Sequence, residues 1–269
     1  MKFSALFILF LSALSHQAYA TTNLIMIGGG KRPKVAIEAF VKAAGSEKAK
    51  ILICPWASES TESAANIKAE LEAYHPSSIE VMPQYFLKKT SYNKLLKANL
   101  KKFDSATGIF FTGGNQNKLM KAIFDLNLKE YLKTAYLNGV AFAGTSAGTA
   151  IMSERMLTGE GNFTVLDGKQ VNLAQGLGLL PHEVIVDQHF IVRHRFNRLA
   201  SVILDQDDEA YGIAIDENNA LHVINNRMAR VIGPTYVMSF SKNSSKSLTV
   251  QLHGNQELFN LFDLKSNTP

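Results

Sequence analysis

Short apolar runs alternate with segments of helical periodicity along the first half of the chain. The apolar runs have the length and composition of buried strands, and the segments between them carry apolar side chains every three or four positions. This alternation indicates an α/β fold, in which a mostly parallel sheet is covered by helices on both faces. Ligands of such folds bind beyond the carboxyl ends of the strands. The predicted strands are residues 23–27, 51–55, 79–82, 108–111 and 140–143, and the predicted helices are residues 35–44, 60–74 and 92–100.

The pattern is less regular in the second half of the chain. Residues 155–178 contain several glycines and little periodicity, which predicts a long loop or flap. Residues 211–224 alternate around an Asn-rich turn, which is typical of a hairpin. We expect this half to extend the same sheet or to form its antiparallel edge, within one domain that spans residues 21–269. The other predicted elements are strands at residues 184–186, 231–237 and 248–252 and a helix at residues 193–204.

Residues 1–20 have the pattern of an export signal. Lys2 gives a positively charged start, residues 6–14 form a short apolar run, and Ala18-Tyr19-Ala20 is a cleavage site with small residues. The apolar run is too short to cross a bilayer, and no later stretch is long and apolar enough to do so. We therefore expect cleavage after Ala20, a secreted or periplasmic protein, and no membrane contact once the signal is removed.

The composition excludes several classes of protein. An apolar share of 46% is ordinary for a globular domain. The formal charge of +5 is mild, and no basic stripe with interleaved aromatic residues points to nucleic-acid binding. Cys54 is the single cysteine, so a disulfide within the chain is impossible. Its apolar neighbours favour a core position over a nucleophile.

Neither a metal nor a cofactor is expected. The sequence has no His-Glu-x-x-His motif, no paired cysteines and no phosphate-binding loop. Three glycines at residues 28–30 follow the first strand, but Lys31-Arg32-Pro33 comes next instead of the spaced glycines of a dinucleotide-binding loop. We interpret the three glycines as a flexible turn that could line a site.

The strand at residues 140–143 leads into Gly-Thr-Ser-Ala-Gly at residues 144–148 and then into a helix. A Gly-x-Ser-x-Gly motif between a strand and a helix is typical of a nucleophile elbow, which presents the serine hydroxyl at the end of the strand. The helix behind Ser146 would direct N–H groups at a developing oxyanion. The N–H of Ala147, with that of Gly113 or Gly114 in the loop after residues 108–111, could form the oxyanion hole.

A serine needs a base to react at neutral pH, and histidine is the usual one. His189 directly follows the predicted strand at residues 184–186, which places it at the same rim as Ser146, so it is the candidate base. The acid that would orient His189 is open. Glu160 is the first choice because it lies close to the elbow in sequence, and Glu154 and Asp187 are the alternatives.

Arg193, Arg195 and Arg198 follow the candidate base within a few residues. Guanidinium groups bind carboxylates in a bidentate manner, and Arg195 and Arg198 would be neighbours on a helix. This favours a carboxylate-binding set, although a basic surface helix or an internal pair between Asp187 and an arginine is also possible. Gln116 is a candidate substrate-binding amide, with a helix-start residue that makes local bonds as the alternative.

Four motifs together resemble the cyanophycinases, which belong to the serine peptidase family S51 with aspartyl dipeptidase (peptidase E). The resemblance runs in matching order from about residue 23 to residue 237. It implies a class I glutamine amidotransferase-like (flavodoxin-like) sandwich, with a mostly parallel sheet and an antiparallel β extension. The motifs are residues 111–116, 144–148, 187–199 and 212–217.

The resemblance also implies a substrate and a set of roles. The substrate is cyanophycin, multi-L-arginyl-poly-L-aspartate, from which β-Asp-Arg dipeptides would be released. Ser146 would attack, His189 would relay the proton, and Gly114 and Ala147 would hold the oxyanion. The family suggests a homodimer. The residues that would bind the aspartyl and arginyl groups are Gln116, Asp187, Gln188, Arg193, Arg195 and Arg198.

Other functions stay open at this point. The chain could be a related peptidase of short α- or β-aspartyl peptides, or a non-catalytic binding protein on the same fold. His194 stands where the family pattern leads us to expect a small residue, and this difference could alter the substrate preference.

Overall fold

The computed structural model of the chain describes residues 20–85, 94, 96–161, 164–205 and 210–264. The predicted export signal lies outside these residues, apart from Ala20. The predicted helix at residues 92–100 is partly outside them, and helical backbone is present at Lys94 and at residues 96–98. The described strands are β1 (Asn23–Ile27), β2 (Lys50–Cys54), β3 (Ser78–Val81), β4 (Gly108–Phe111), β5 (Ala141–Thr145), β6 (Arg155–Gly161), β7 (Val171–Gln175), β8 (Val184–Gln188), β9 (Tyr211–Ile215), β10 (Ala220–Ile224), β11 (Met228–Val231), β12 (Val237–Ser244), β13 (Ser247–His253) and β14 (Leu258–Asn260). The α-helices whose bounds are described are α1 (Lys34–Ala43), α2 (Glu62–Glu72), α3 (Gln116–Asp125), α4 (Lys129–Leu137), α5 (Ala147–Ala150) and α6 (Phe196–Asp205).

The main sheet has the spatial order β14-β11-β10-β1-β5-β4-β2-β3. The strands from β1 to β3 in this order are parallel, whereas β10, β11 and β14 add an antiparallel extension. β4 is buried at every position, as expected for a strand of a parallel sheet covered on both faces. The predicted fold class, α/β with a mostly parallel sheet and an antiparallel extension, is confirmed.

Each face of the main sheet has its own hydrophobic core. On one face, Phe40 of α1 and Ile67 of α2 pack against the sheet. On the other face, Leu119 of α3, Leu132 of α4 and Ile213 of β9 share a core. The single cysteine, Cys54, is buried in this second core, as its apolar neighbours predicted. The strands beyond the main sheet are therefore packed against it rather than added to its edge.

A second sheet has the order β13-β12-β9-β8, with β8 and β9 parallel. The predicted hairpin at residues 211–224 is wrong, because β9 belongs to this second sheet while β10 pairs with β1 in the main sheet. All five residues of β9 are buried, so it lies between two layers rather than at a half-exposed edge. The turn between β9 and β10 therefore carries the chain from one sheet to the other.

The predicted flap at residues 155–178 contains a two-stranded antiparallel sheet of β6 and β7. The irregular register between Leu157 and Gly161 explains why no strand period is visible in the sequence. The helix predicted from residue 193 begins at Phe196, after a turn over residues 191–194. Among the described residues, every helix is too short or too polar to span a bilayer.

Candidate active site

Ser146 lies at the sharp turn between β5 and α5. Its backbone has φ 55° and ψ −113°, a combination that residues with a side chain rarely adopt. The Ser146 N–H donates to the carbonyl of Ile27 at 3.0 Å, and the Thr149 hydroxyl donates to the same carbonyl at 2.7 Å. The predicted strand–turn–helix setting of the serine is present, and it is held against the end of β1.

Gly144 and Gly148 let the strand, the turn and the helix pack closely. A Cβ at Gly144 would overlap the carbonyl of Gly148 and lie 2.8 Å from the nitrogen of Thr149. A Cβ at Gly148 would overlap the carbonyl of Phe111 on β4. The two glycines of the Gly-x-Ser-x-Gly motif are thus required by the close approach of β5, α5 and β4.

The loop that follows β4 lies against the serine. A Cβ at Gly113 would be 3.3 Å from Ser146 Cβ and 3.8 Å from Ser146 Oγ. Among the hydrogen bonds within the described ranges, none uses the N–H groups of Gly113, Gly114 or Ala147. These donors are therefore not committed to other backbone partners, and their use as an oxyanion hole stays a prediction.

His189 reaches the serine from the second sheet. Its Nε2 lies 2.7 Å from Ser146 Oγ, and its Nδ1 lies 2.5 Å from Glu217 Oε1. A carboxylate only accepts hydrogen bonds, so Nδ1 carries the ring proton and Nε2 is left to accept the serine hydroxyl. The His189 N–H donates to the carbonyl of Gly28 at 2.9 Å, which fixes the histidine backbone to the end of β1.

Burial lowers the pKa of His189 below its ordinary value of 6.5. The hydrogen bond and charge of Glu217 act in the opposite direction, whereas the positive charges of Arg193 and Arg195 lower the pKa further. A depressed pKa keeps the imidazole neutral at neutral pH, which is the form that can accept a proton from serine.

Glu217 is a functional candidate that our sequence reasoning did not assign. It lies two residues beyond β9, and because β9 is parallel to β8, both strands deliver side chains to the same rim. The neighbouring Asp216 accepts the N–H groups of Ile191 and Val192 at 3.0 and 3.2 Å, which secures the turn after His189. Recognition of β9 as a parallel strand would have found Glu217. We call Ser146, His189 and Glu217 the Ser146 triad.

Glu160, the first choice for the acid, does not lie at His189. Its exposed carboxylate accepts a hydrogen bond from Asn117 Nδ2 at 3.2 Å. Proximity to the serine in sequence is misleading here, because β6 leads away into the separate β6–β7 sheet. Glu154, one of the two alternatives, has its Oε2 3.3 Å from Nδ1 of His182. The prediction of the acid is therefore corrected.

The residues of this site fall within a known family of peptidases. The model of peptidase family S51 matches residues 24–231, a range that includes the whole Ser146 triad. The chain belongs to peptidase family S51. The cyanophycinase of Nostoc sp. is 31% identical over 230 residues, which are 80% of this chain and 75% of the relative. The cyanophycinase of Geminocystis herdmanii is 31% identical over 223 residues, which are 80% of this chain and 79% of the relative.

Two proteins with other names are also similar to the chain. The peptidase E of Haemophilus influenzae is 29% identical over 148 residues, which are 52% of this chain and 60% of the relative. A solved peptidase from an acI-B1 Actinobacterium has a TM-score of 0.66 at 21% identity, and the match covers 91% of this chain and 99% of that chain. The family predicted from the four motifs is thus confirmed, and the solved structure supports the same fold.

In this S51 chain, the predicted carboxylate-binding arginines do not form one set. Asp187 and Arg198 are each only 1% exposed. Arg198 donates from Nε to Asp187 Oδ2 at 2.7 Å and from a second nitrogen to Oδ1. This is the internal pair that the sequence left as an alternative. Because the two side chains pair with each other, the prediction that they bind substrate is corrected. Asp187 as the acid is also corrected, because the partner of His189 Nδ1 is Glu217.

Arg195 and Arg193 differ from Arg198 in their exposure and in their hydrogen-bond partners. Arg195 precedes α6, and its Nη1 donates to the backbone carbonyl of Gln188 at 2.6 Å and to the Gln188 side-chain oxygen. Burial and the charge of Arg198 lower the pKa of Arg195 to about 10. Arg193 is exposed, and within the described part of the chain no ion pair involves it. Substrate binding by Gln188, Arg193 and Arg195 stays a prediction.

Gln116 begins α3 with a buried side chain. Its amide nitrogen donates to the carbonyls of Leu157 at 3.0 Å and Thr158 at 2.6 Å, so the side chain tethers α3 to β6. These acceptors lie 41 and 42 residues away in sequence, so the bonds are not the local ones of the alternative. Substrate binding by Gln116 stays a prediction. Among the described residues, His, Cys, Asp and Glu side chains form no group of three or more that could hold a metal ion.

Proposed function

We propose that this member of family S51 is a serine peptidase that hydrolyses cyanophycin, multi-L-arginyl-poly-L-aspartate, and releases β-Asp-Arg dipeptides. The observation that carries the proposal is the hydrogen-bonded series from Glu217 through His189 to Ser146. The choice of substrate is supported by relatives named cyanophycinase at 31% identity over 80% of the chain.

In the proposed reaction, Ser146 Oγ attacks the scissile carbonyl carbon while His189 Nε2 takes the hydroxyl proton. Glu217 holds the Nδ1 proton and stabilises the imidazolium that forms. His189 then gives its proton to the leaving nitrogen, the C–N bond breaks, and an acyl-enzyme remains. Water attacks this ester with His189 again as the base, and Ser146 is released with the second product.

The N–H groups of Gly114 and Ala147 would stabilise the negative charge that develops on the carbonyl oxygen. Their availability in the structure supports this assignment. Removal of one such donor typically raises the barrier by about 3–4 kcal/mol.

Arg193 is the residue that we propose for binding a substrate carboxylate. It is exposed, and its charge is close enough to act on the pKa of His189. A guanidinium binds carboxylates in a bidentate manner, and the aspartyl units of cyanophycin supply such groups. The buried Asp187–Arg198 pair would act indirectly, by holding Gln188 and Arg195 in place at the end of β8.

A peptidase of short aspartyl peptides is the second candidate. The peptidase E of Haemophilus influenzae, which matches 52% of this chain, favours it. An exposed Arg193 would serve a dipeptide carboxylate equally well, so the choice between the two candidates depends on experiment.

We also propose that the protein acts after export. The charged start, the short apolar run and the small residues up to Ala20 support a signal that is removed. Amino-terminal sequencing of protein recovered outside the inner membrane should begin at Thr21. Recovery of protein that still begins at Met1 from the cytoplasm alone would contradict export.

The decisive experiment incubates the purified protein with insoluble cyanophycin and, separately, with α- and β-linked Asp-X dipeptides. Products are identified by mass spectrometry, and Ser146→Ala is the control. Release of β-Asp-Arg by the wild type but not by Ser146→Ala supports the proposal. Hydrolysis of the dipeptides alone supports the second candidate. Binding of the polymer without any hydrolysis would favour a non-catalytic protein on the same fold.

A further inference from the structure

The three glycines that follow β1, at residues 28–30, lie between the members of the Ser146 triad. We infer that these glycines, the β1 tip, are positioning residues that set the spacing of the triad. The inference rests on the proposed function, because this spacing matters when the three side chains react together. It assigns a role to a segment that the sequence alone indicates only as a flexible turn.

Successive carbonyl groups at the end of β1 hold two members of the triad. The carbonyl of Ile27 accepts the Ser146 N–H at 3.0 Å, and the carbonyl of Gly28 accepts the His189 N–H at 2.9 Å. Ser146 directly follows β5 of the main sheet, and His189 directly follows β8 of the second sheet. The end of β1 is therefore where the two halves of the site are joined.

The next carbonyl, that of Gly29, holds the backbone beside the third member of the triad, Glu217. Gly29 O accepts the N–H of Asn218 at 2.9 Å, and Asn218 directly follows Glu217 in the chain. The Asn218 side chain accepts the N–H of Lys31 at 2.8 Å, so a second hydrogen bond joins the segment after β1 to the turn that contains Glu217. Three consecutive carbonyls thus fix the backbones that carry the nucleophile, the base and the acid.

Gly29 is in contact with the ring of the base. Its φ is +122°, and a Cβ built on it would overlap His189 Cε1 and lie 2.6 Å from each ring nitrogen. The imidazole therefore packs directly on the Cα of Gly29. Any side chain at this position would push the ring away from the serine or the carboxylate.

The glycines on either side are constrained by other parts of the site. A Cβ at Gly28 would overlap the carbonyl of Asp216 and lie 2.5 Å from the carbonyl of Ile215, so the end of β1 contacts the end of β9. A Cβ at Gly30 would lie 2.9 Å from Glu217 Cβ and Oε2. A turn alone does not explain Gly28, whose φ is not positive. Contact with the site explains all three.

The test compares Gly29→Ala with Gly45→Ala in the full chain. Gly45 has a similar φ of +113°, but the atoms nearest to its Cβ position are 3.7 Å away, in the loop between α1 and β2. Both substitutions therefore introduce backbone strain, and only the first displaces His189. Gly30→Ala serves as the second variant if Gly29→Ala does not fold, because the Glu217 side chain can shift more easily than the ring.

The readouts are kcat and KM for the substrate that the wild type cleaves, the rate at which a fluorophosphonate labels Ser146, and the pH titration of the His189 ring by NMR. Displacement by about 1 Å typically costs about 100-fold in rate, so Gly29→Ala should lower kcat and the labelling rate by about that factor while KM changes little. The His189 titration should also move, because the ring leaves the charges of Glu217, Arg193 and Arg195.

The outcomes separate the inference from the proposed function. A folded Gly29→Ala protein with the wild-type labelling rate and His189 titration would overturn the inference, as would an equal loss in Gly45→Ala. If the wild type labels at Ser146 but cleaves neither cyanophycin nor aspartyl dipeptides, the proposed function fails, and labelling still tests the role of Gly29. A wild type whose Ser146 does not react with the probe would overturn both.

Discussion

Among the residues that the structure describes, two groups of serine, histidine and glutamate have the same order of hydrogen bonds. One is the Ser146 triad. In the other, which we call the Ser239 cluster, Ser239 Oγ lies 2.9 Å from His253 Nε2, and His253 Nδ1 lies 2.9 Å from Glu257 Oε1. Side-chain distances alone therefore do not distinguish the proposed nucleophile, Ser146, from Ser239.

The backbone at the serine differs between the two groups. Ser146 is at a bend with φ 55°, followed by α5 and flanked by the glycine loop after β4. Ser239 is in the middle of β12, paired with Ile213 on one side and Gln251 on the other. Backbone N–H groups within a strand paired on both sides belong to the ladder, so they are not available to an oxyanion.

Access to the serine differs as well. Ser146 is partly exposed at the rim of the main sheet, whereas Ser239 is 3% exposed and His253 is 5% exposed. The His253 ring is stacked on Phe259 with the ring centroids 3.9 Å apart. The same three residue types therefore occur in two different settings. The bend and the exposed rim at Ser146 favour a catalytic role, whereas the buried strand at Ser239, paired on both sides, favours a structural role. Each prediction below tests this contrast.

The largest expected effect separates the two serines. Ser146→Ala should reduce kcat by at least about 10⁴-fold, because it removes the proposed nucleophile, whereas Ser239→Ala should leave kcat/KM within about twofold of the wild type. Steady-state kinetics on the cleaved substrate measures both. Mass spectrometry of fluorophosphonate-treated protein should find the label on Ser146 alone. A label on Ser239, or full activity in Ser146→Ala, would overturn the contrast.

The second effect separates the carboxylates. Glu217→Gln should lower kcat by about 10²–10⁴-fold, because an amide no longer fixes the tautomer and charge of His189. Glu257→Gln and Glu160→Gln should leave kcat within about twofold, since neither carboxylate contacts that ring. Kinetics of the three variants at one pH provides the test. A loss in Glu160→Gln that matched the loss in Glu217→Gln would restore the acid predicted from sequence.

Local patterns in the sequence predicted the features that depend on neighbouring residues. The apolar runs predicted the parallel strands of the main sheet, and the Gly-x-Ser-x-Gly motif predicted the turn at Ser146. His189 was also accessible to this reasoning, because it directly follows a strand whose direction could be inferred. Each of these inferences needs only a short segment and the rule that parallel strands end at one rim.

Glu217, the carboxylate at His189, could not be predicted from local sequence patterns. Alternation over residues 211–224 fits a hairpin as well as it fits two strands in different sheets, and only the tertiary fold separates the two. Glu217 lies in the turn in either case, and only the parallel pairing of β9 with β8 places that turn at the rim of His189. The buried Asp187–Arg198 pair shows the same limit, because nothing local distinguishes a buried guanidinium from an exposed one. The Ser239 cluster depends on the register of β12 against β13, which the sequence pattern leaves undetermined.

The third effect concerns pH and tests which imidazole the reaction uses. Because burial lowers the pKa of His189 below 6.5, kcat/KM should fall on acidification with a midpoint below pH 6.5. Arg193→Gln should move this midpoint upward, because the positive charge of Arg193 contributes to the lowering. Arg230→Gln is the matched control, since the charge of Arg230 acts on His222 instead. A wild-type midpoint above 6.5, or equal shifts in both variants, would show that another group controls the activity.

The smallest effect concerns stability, for which we expect Ser239 to matter more than Ser146. Ser239→Ala leaves the buried His253 Nε2 without its partner, which should lower the free energy of unfolding by about 1–3 kcal/mol. Ser241→Ala on the same strand is the matched control, and Ser146→Ala should change the free energy by less than about 0.5 kcal/mol, because water can replace the serine at the open rim. Urea unfolding followed through the fluorescence of Trp56, the single tryptophan, measures all three. A greater loss of stability in Ser146→Ala than in Ser239→Ala would mean that the hydrogen bond at the reactive serine also supports the fold, and the division between a catalytic and a structural group would then fail.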